Sequence, residues 1–318
     1  MARAWRIQYE DAVYHVISRG NHSQNIFFDD RDRSDFLNLL GRFAERFHID
    51  IFAFCLMSNH YHLFLRTPEA NLAKSMHWLN TAYANHFLRR HQLSGHFLQG
   101  RYKAVLITSE EHWHNLSFYI HLNPVRAGLV PNPAEYKWSS FLDYIAATSR
   151  FSWLRTDELL AEFGSKNLSS RRHYHRACLE LAGVESSFWD KIRTAIILGS
   201  KQNIDKIRDQ YRPKGDPSNV PQYQTLGRKN IEPDEQCTLV AEAFKVSKNF
   251  FTKKKRNFLP KLAAYYHLVE NCGLSQTRVA KIMKVSPMAV SKGIKALNAK
   301  FKNNPELQSK LKSLKFKV

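Results

Sequence analysis

The run from Ile51 to Leu65 constrains this fold more than any other segment. It is almost wholly apolar and breaks once, at Met57-Ser58-Asn59. Two short apolar runs around a tight break read as strands over 51–56 and 60–66, joined by a turn. In a strand, side chains at i and i+2 share a face. His60 and His62 therefore project together from the second strand. Two neutral imidazoles placed like this can grip one divalent metal. A histidine pair satisfied by backbone or water fits the same letters.

The flanking segments extend the pattern. Tyr14 to Arg19 reads as a first strand and Gly20-Asn21 as a turn. Asp29 or Asp30 can cap a helix over 31–47, where Phe36, Leu39, Leu40 and Phe43 recur at helical spacing. Asn71 introduces a helix over 72–90, and 104–107 is a short strand. A further helix over 110–122 stops at Asn123-Pro124, because proline disfavours helix in the residue before it. The order β-α-β-β-α-β-α predicts an α+β, ferredoxin-like split-βαβ sheet. The segment 131–144 is loop-like, and 156–211 reads as helical throughout. Arg212 to Pro221 is dense in helix breakers. The expected organisation is a sheet domain over 1–145, an accessory helical region over 146–211, a linker-like stretch over 212–244 and a basic region over 245–318.

Charge narrows the partner. The chain of 318 residues carries a net charge of +20. From Lys245 onward there are 18 Lys and Arg against two acids, so that 18 − 2 = +16 falls in the last quarter. Such a basic region favours a polyanion, with nucleic acid the default, although a solubilising tail fits the charge alone. No apolar run approaches the roughly 20 residues a bilayer requires, the N-terminus has no signal-peptide core, and the four scattered cysteines form no C-x-x-C. A cytoplasmic protein with no membrane partner is expected.

Context separates chemistry from coincidence. His173-Tyr174-His175 repeats the histidine triplet, but in a charged helical segment where i and i+2 face different ways. Tyr119 and Asn123 lie four residues apart on one helix, so they share a face. A phenol can attack a phosphodiester when helped by a base or a metal. Asn123 offers an amide oxygen as a third, hard metal ligand beside His60 and His62, and Mg²⁺ or Mn²⁺ suits that donor set. For Tyr119, spacing alone favours a core aromatic. Arg101 and Lys103 would point to one side of an extended segment and could neutralise phosphates, while Tyr61, Phe97 and Tyr102 are stacking candidates that fit a core equally.

These motifs together resemble a known family. His60-Tyr61-His62 resembles the motif of single-tyrosine HUH endonucleases. Met57 to Phe64, Gly100-Arg101-Tyr102-Lys103, Tyr119 to Leu129 and Trp138-Ser139-Ser140-Phe141 resemble the REP-associated tyrosine transposases. The resemblance implies a metal-dependent endonuclease and strand transferase acting on single-stranded DNA beside a hairpin. It implies Tyr119 as nucleophile, forming a 5′-phosphotyrosine and freeing a 3′-hydroxyl, with His60, His62 and Asn123 at the metal. Asn123 stands where related enzymes often carry Gln. Some relatives exchange the tyrosine helix in a homodimer, and others act as monomers.

Gly273 to Leu297 reads as helix-turn-helix. Ser275 can cap one helix, Ser286 and Pro287 open the next, and Val290, Ile294 and Leu297 form its buried stripe. Met288, Ser291, Lys292 and Lys295 remain available to a major groove. The segment resembles the helix-turn-helix at the C-terminus of the DnaA initiator, or a sigma-factor-like one, which implies duplex DNA binding; a helical hairpin with no nucleic-acid role fits the same pattern. A competing reading is a catalytically idle DNA-binding regulator. A metal hydrolase for a small substrate explains the histidines but not the charge.

Overall fold

A computed structural model describes residues 7–109, 112–164, 168–182, 189, 192, 195–212, 233–251, 258–270, 272, 274, 276–302, 304, 307, 309 and 311. The chain forms two compact units, Trp5–Arg212 and Pro213–Val318 with Met1–Ala4. Among the described residues no helix is long and apolar enough to cross a membrane. Cys55, Cys178 and Cys237 are buried free thiols.

The first unit runs β1 (Ala12–Arg19), α1 (Asp30–Phe47), β2 (Asp50–Leu56), β3 (His60–Thr67), α2 (Leu72–Arg90), β4 (Lys103–Ile107) and α3 (Trp113–His121). This is the order expected from the sequence. Strands lie in the order β2-β3-β1-β4, followed by a fifth strand. β3 is antiparallel to both β1 and β2, and β1 is antiparallel to β4. Each βαβ crossover therefore skips over an intervening strand, as in a split βαβ sheet. The Asp29 side chain accepts a hydrogen bond from the Asp32 amide and so caps α1. Asn71 does not cap α2; its amide instead donates to the Phe47 carbonyl at 3.0 Å.

Alternation along the strands sorts the two faces of the sheet. Tyr61 points toward the α1/α2 side, where its ring meets Phe36 at 4.7 Å and its hydroxyl donates to Asn80 at 2.5 Å. Val13, Ala53, Cys55, Phe64, Val105 and Ile107 point to the other face and pack against Leu116, Phe118 and Ile120 of α3.

Beyond α3 come α4 (Asn123–Arg126), α5 (Phe141–Ile145), α6 (Asp157–Ala161), α7 (Leu168–Glu180) and α8 (Lys201–Gln210). The stretch expected to be helical throughout contains a strand, β5 (Ile197–Leu198), which pairs in parallel with Leu106 and Ile107 of β4. Two residues carry no readable period; the open edge of β4 decides their conformation. Tyr174, Cys178, Trp189 and Ile192 enter the core of α3 and the sheet, so 146–211 folds with 1–145 in one unit.

The second unit contains α9 (Pro233–Ala243), α10 (Leu259–Glu270), α11 (Gln276–Ile282) and α12 (Pro287–Lys302). Cys237, Val240 and Ala241 of α9 share a core with Leu262, Ala263 and Leu268. Part of the linker-like stretch is thus a core helix, and 213–232 lies outside the described residues. Ser286 Oγ accepts from the Ala289 amide at 3.2 Å, and Pro287 opens α12. Ser275 lies outside the described residues. Val290 and Leu297 are buried, with Ile294 packed against the same core. Gly293 lets α12 approach Tyr265; a Cβ there would sit 2.8 Å from the ring.

Candidate active site

Strand register gathers the polar side chains. Across β1 and β3, Ile17 faces His62, Arg19 faces His60 and His15 faces Phe64. Ile17 also faces Lys103 on β4. Residues directly opposite share a face, and diagonal neighbours lie within side-chain reach. His15, Arg19, His60, His62 and Lys103 thus rise from the face that α3 covers.

The protonation of His60 follows from its neighbours. Asn59 Nδ2 donates to the Ser23 carbonyl at 3.2 Å, which turns Asn59 Oδ1 toward His60 Nδ1, 2.6 Å away. An amide oxygen only accepts, so Nδ1 carries the proton and Nε2 a lone pair. Burial, aided by the charge of Arg19, lowers the His60 pKa to about 4, which keeps the ring neutral at pH 7.

His60 Nε2 and His62 Nε2 stand 3.1 Å apart. Two ligands on adjacent corners of an octahedron with bonds of about 2.1 Å are separated by roughly 3 Å. The pair therefore fits one divalent cation. Among the described residues no group of three or more His, Cys, Asp or Glu is set to hold a metal. The donor set here is two imidazoles, so water, an amide or substrate oxygens would complete the shell.

His15, which the sequence reading passed over, lies behind this pair. It is fully buried, and its Nε2 is 2.9 Å from His62 Nδ1. Burial lowers its pKa to about 3, with the Lys103 charge and His60 adding to the effect. Its signal in the sequence was its i, i+2, i+4 alignment with Ile17 and Arg19, which gains meaning only through the register.

Tyr119 meets the histidines. Its ring is edge-on to His15 at 5.6 Å and to His62 at 5.8 Å. Trp189 stacks on it at 5.5 Å, and the Arg126 guanidinium lies 4.1 Å from the Trp189 ring centroid. The tyrosine is only 4% exposed. Buried polar contacts hold α3 in place. Ser140 Oγ is 2.7 Å from His121 Nε2, and His121 Nδ1 is 2.8 Å from the Tyr174 hydroxyl. Tyr174 donates to Ser117 Oγ at 2.8 Å, and Ser117 donates to the His114 carbonyl at 2.7 Å. A neutral His121 fits this chain, and burial holds its pKa down to about 3.

Asn123 opens α4, with Leu122 between it and the end of α3. Its Nδ2 donates to the Tyr119 carbonyl at 2.8 Å and reaches the Ile120 carbonyl at 3.5 Å. These bonds run from the start of α4 back to the last turn of α3, and neither reaches a histidine. Lys103 opens β4, while Arg101 precedes it, exposed, in a bend. The Gln99 amide donates to the Arg19 carbonyl at 2.8 Å, which ties the segment before Arg101 to the end of β1. Phe97 is core, stacked on Phe87 at 4.3 Å, as Tyr61 is on the opposite face of the sheet; Tyr102 is half-buried. His173 is exposed, whereas His175 packs near Phe141 at 5.8 Å, so the second triplet diverges on α7.

In the second unit Met288 is 66% exposed, Lys292 and Lys295 are exposed and Ser291 is half-buried. Arg278 and Lys281 add exposed cations on α11.

Residues 8–123 match the family model described as IS200-like transposase. That span includes His15, His60, His62, Tyr119 and Asn123 and stops short of Trp189 and the second unit. No curated protein matches. A solved structure of a REP-associated tyrosine transposase bound to a REP hairpin matches with 16% identity, covering 49% of this chain and 98% of that chain, at a TM-score of 0.39.

Proposed function

We propose, from the match of residues 8–123 to the IS200-like transposase model, that this chain cuts and rejoins single-stranded DNA through Tyr119. The observation that carries the reading is the meeting of Tyr119 with His15 and His62 on the face where His60 and His62 turn their Nε2 atoms together. In the proposed step the phenol gives up its proton and its oxygen bonds to phosphorus. The bond from phosphorus to the 3′-oxygen breaks, and that oxygen leaves as a 3′-hydroxyl carrying a proton. One phosphoester replaces another, so the reverse attack by a second 3′-hydroxyl can rejoin strands.

His60 and His62 would hold Mg²⁺ or Mn²⁺, with Asn123 a candidate third ligand once its side chain turns from the carbonyls of α3. Bound there, the metal would polarise the scissile phosphate and offset its growing charge. Arg19, Arg101 and Lys103 would neutralise neighbouring phosphates. The motif resemblance to REP-associated tyrosine transposases favours a substrate with a hairpin beside the cut strand. Met288, Ser291, Lys292 and Lys295 would present a duplex-binding face from a C-terminal helix-turn-helix.

The test incubates the full chain with a single-stranded hairpin oligonucleotide and Mg²⁺ or Mn²⁺. The expected product is a protein–DNA band that survives denaturation. Tight DNA binding without that band would favour the idle regulator instead.

A further inference from the structure

We propose that His15 is a positioning residue. By accepting the Nδ1 proton of His62, it turns the His62 Nε2 lone pair toward that of His60, so that both address one divalent cation. The inference rests on the metal reading of the His60 and His62 pair.

Proton counting along the three rings leads to it. His15 and His62 lie at 11° to each other, with centroids 5.1 Å apart and nitrogens 2.9 Å apart. Nearly parallel rings with these separations sit side by side, so the N–H of one points along the lone pair of the other. His60 presents a lone pair at Nε2, because Asn59 takes its Nδ1 proton. Two arrangements then remain for neutral rings. In the first, His62 donates from Nε2 to His60 and accepts from His15 at Nδ1. In the second, His62 donates from Nδ1 to His15, and the two Nε2 lone pairs face each other across 3.1 Å. Only a cation makes the second arrangement favourable, because unscreened lone pairs repel.

His15 takes part in both arrangements. Its Nε2 is a donor in the first and an acceptor in the second. Its Nδ1 is buried with no hydrogen-bond partner among the described residues, so none of them fixes its tautomer. Both rings therefore exchange tautomer together on cation binding, with no net gain or loss of protons. This is the partner that metal-bound histidines ordinarily find in a carboxylate or a carbonyl, supplied here by a third imidazole.

The test uses the full chain with ¹⁵N-labelled histidine. Two-bond nitrogen–proton spectra distinguish Nδ1–H from Nε2–H rings. On titration with Mg²⁺, His62 and His15 are expected to change together from Nε2–H to Nδ1–H. Retention of the Nε2–H form by His62 at saturating Mg²⁺ would overturn the proposal. Mn²⁺ affinity, read by electron paramagnetic resonance, gives a second measurement. His15→Phe should weaken it about 10- to 100-fold, and His15→Gln, which keeps an acceptor oxygen, should recover part of the loss. Wild-type affinity in a folded His15→Phe chain would also overturn it. Wild-type affinity in His60→Ala would instead sink the metal reading on which the inference stands.

Discussion

Acid should destabilise the first unit well above the pH at which ordinary carboxylates titrate. His15 and His121 are fully buried, and burial lowers each pKa to about 3. In the unfolded chain each returns to about 6.5. Between these values the unfolded chain binds two protons that the folded chain refuses. The stability is fully present above about pH 6.5 and is lost as pH falls toward 3. Each site contributes a slope of about 1.4 kcal/mol per pH unit, so the pair gives about 2.7. Acidification from about pH 6.5 to 4.5 therefore removes roughly 5 kcal/mol, against a total of about 5–15 for a typical domain. His60 adds a smaller increment in the same direction, since burial holds it at about 4. Urea melts at a series of pH values measure the slope. His121→Gln, which keeps a donor and an acceptor for Tyr174 and Ser140 but cannot titrate, should cut it by about half. An unaltered slope in that variant would show that His121 is not held neutral by burial.

Further outcomes follow from the same contacts. Tyr119→Phe should abolish the covalent DNA band while DNA binding persists; because its ring contacts remain, its stability should stay within about 1 kcal/mol of wild type, and full cleavage by it would exclude Tyr119 as nucleophile. Tyr119 meets the histidines of its own chain, so a mixture of His60→Ala and Tyr119→Phe chains should form no adduct, whereas restored cleavage would mean that sites are shared between copies. The double variant Lys292→Ala, Lys295→Ala should weaken duplex binding evenly across sequences and lower the salt slope by about 2, as read by fluorescence anisotropy. Gly293→Ala should cost the second unit about 1–3 kcal/mol in a thermal melt, because its Cβ meets Tyr265.

The sequence carried the local part of this structure. The i, i+2 spacing of His60 and His62 is a property of one element and reappears in β3, whereas Tyr119 and Asn123, expected on one helix, fall on either side of the α3–α4 junction at Leu122. What was hidden depends on pairing. His15 gains its role because β1 sets Ile17 opposite His62, and nothing in Tyr14-His15-Val16 announces that partner. β5 exists because β4 has an edge to offer Ile197 and Leu198. Trp189 reaches Tyr119 from 70 residues downstream in the chain, a separation no local pattern encodes. The Asn123 amide shows the converse limit. Its spacing from Tyr119 was readable, but the choice between the carbonyls of α3 and a metal was not.

The polar chain from Ser140 through His121 and Tyr174 to Ser117 changes what counts as the smallest working piece of this protein. A chain trimmed at residue 145 would keep every candidate ligand and the candidate nucleophile, Tyr119. It would lose Tyr174, leaving His121 Nδ1 and Ser117 Oγ without that partner in the interior. An unmet polar group there costs on the order of 1–3 kcal/mol, and the helix carrying Tyr119 would lose its buttress. The candidate site residues from the motifs end at Asn123, but the smallest piece that keeps their buttress extends at least through α7.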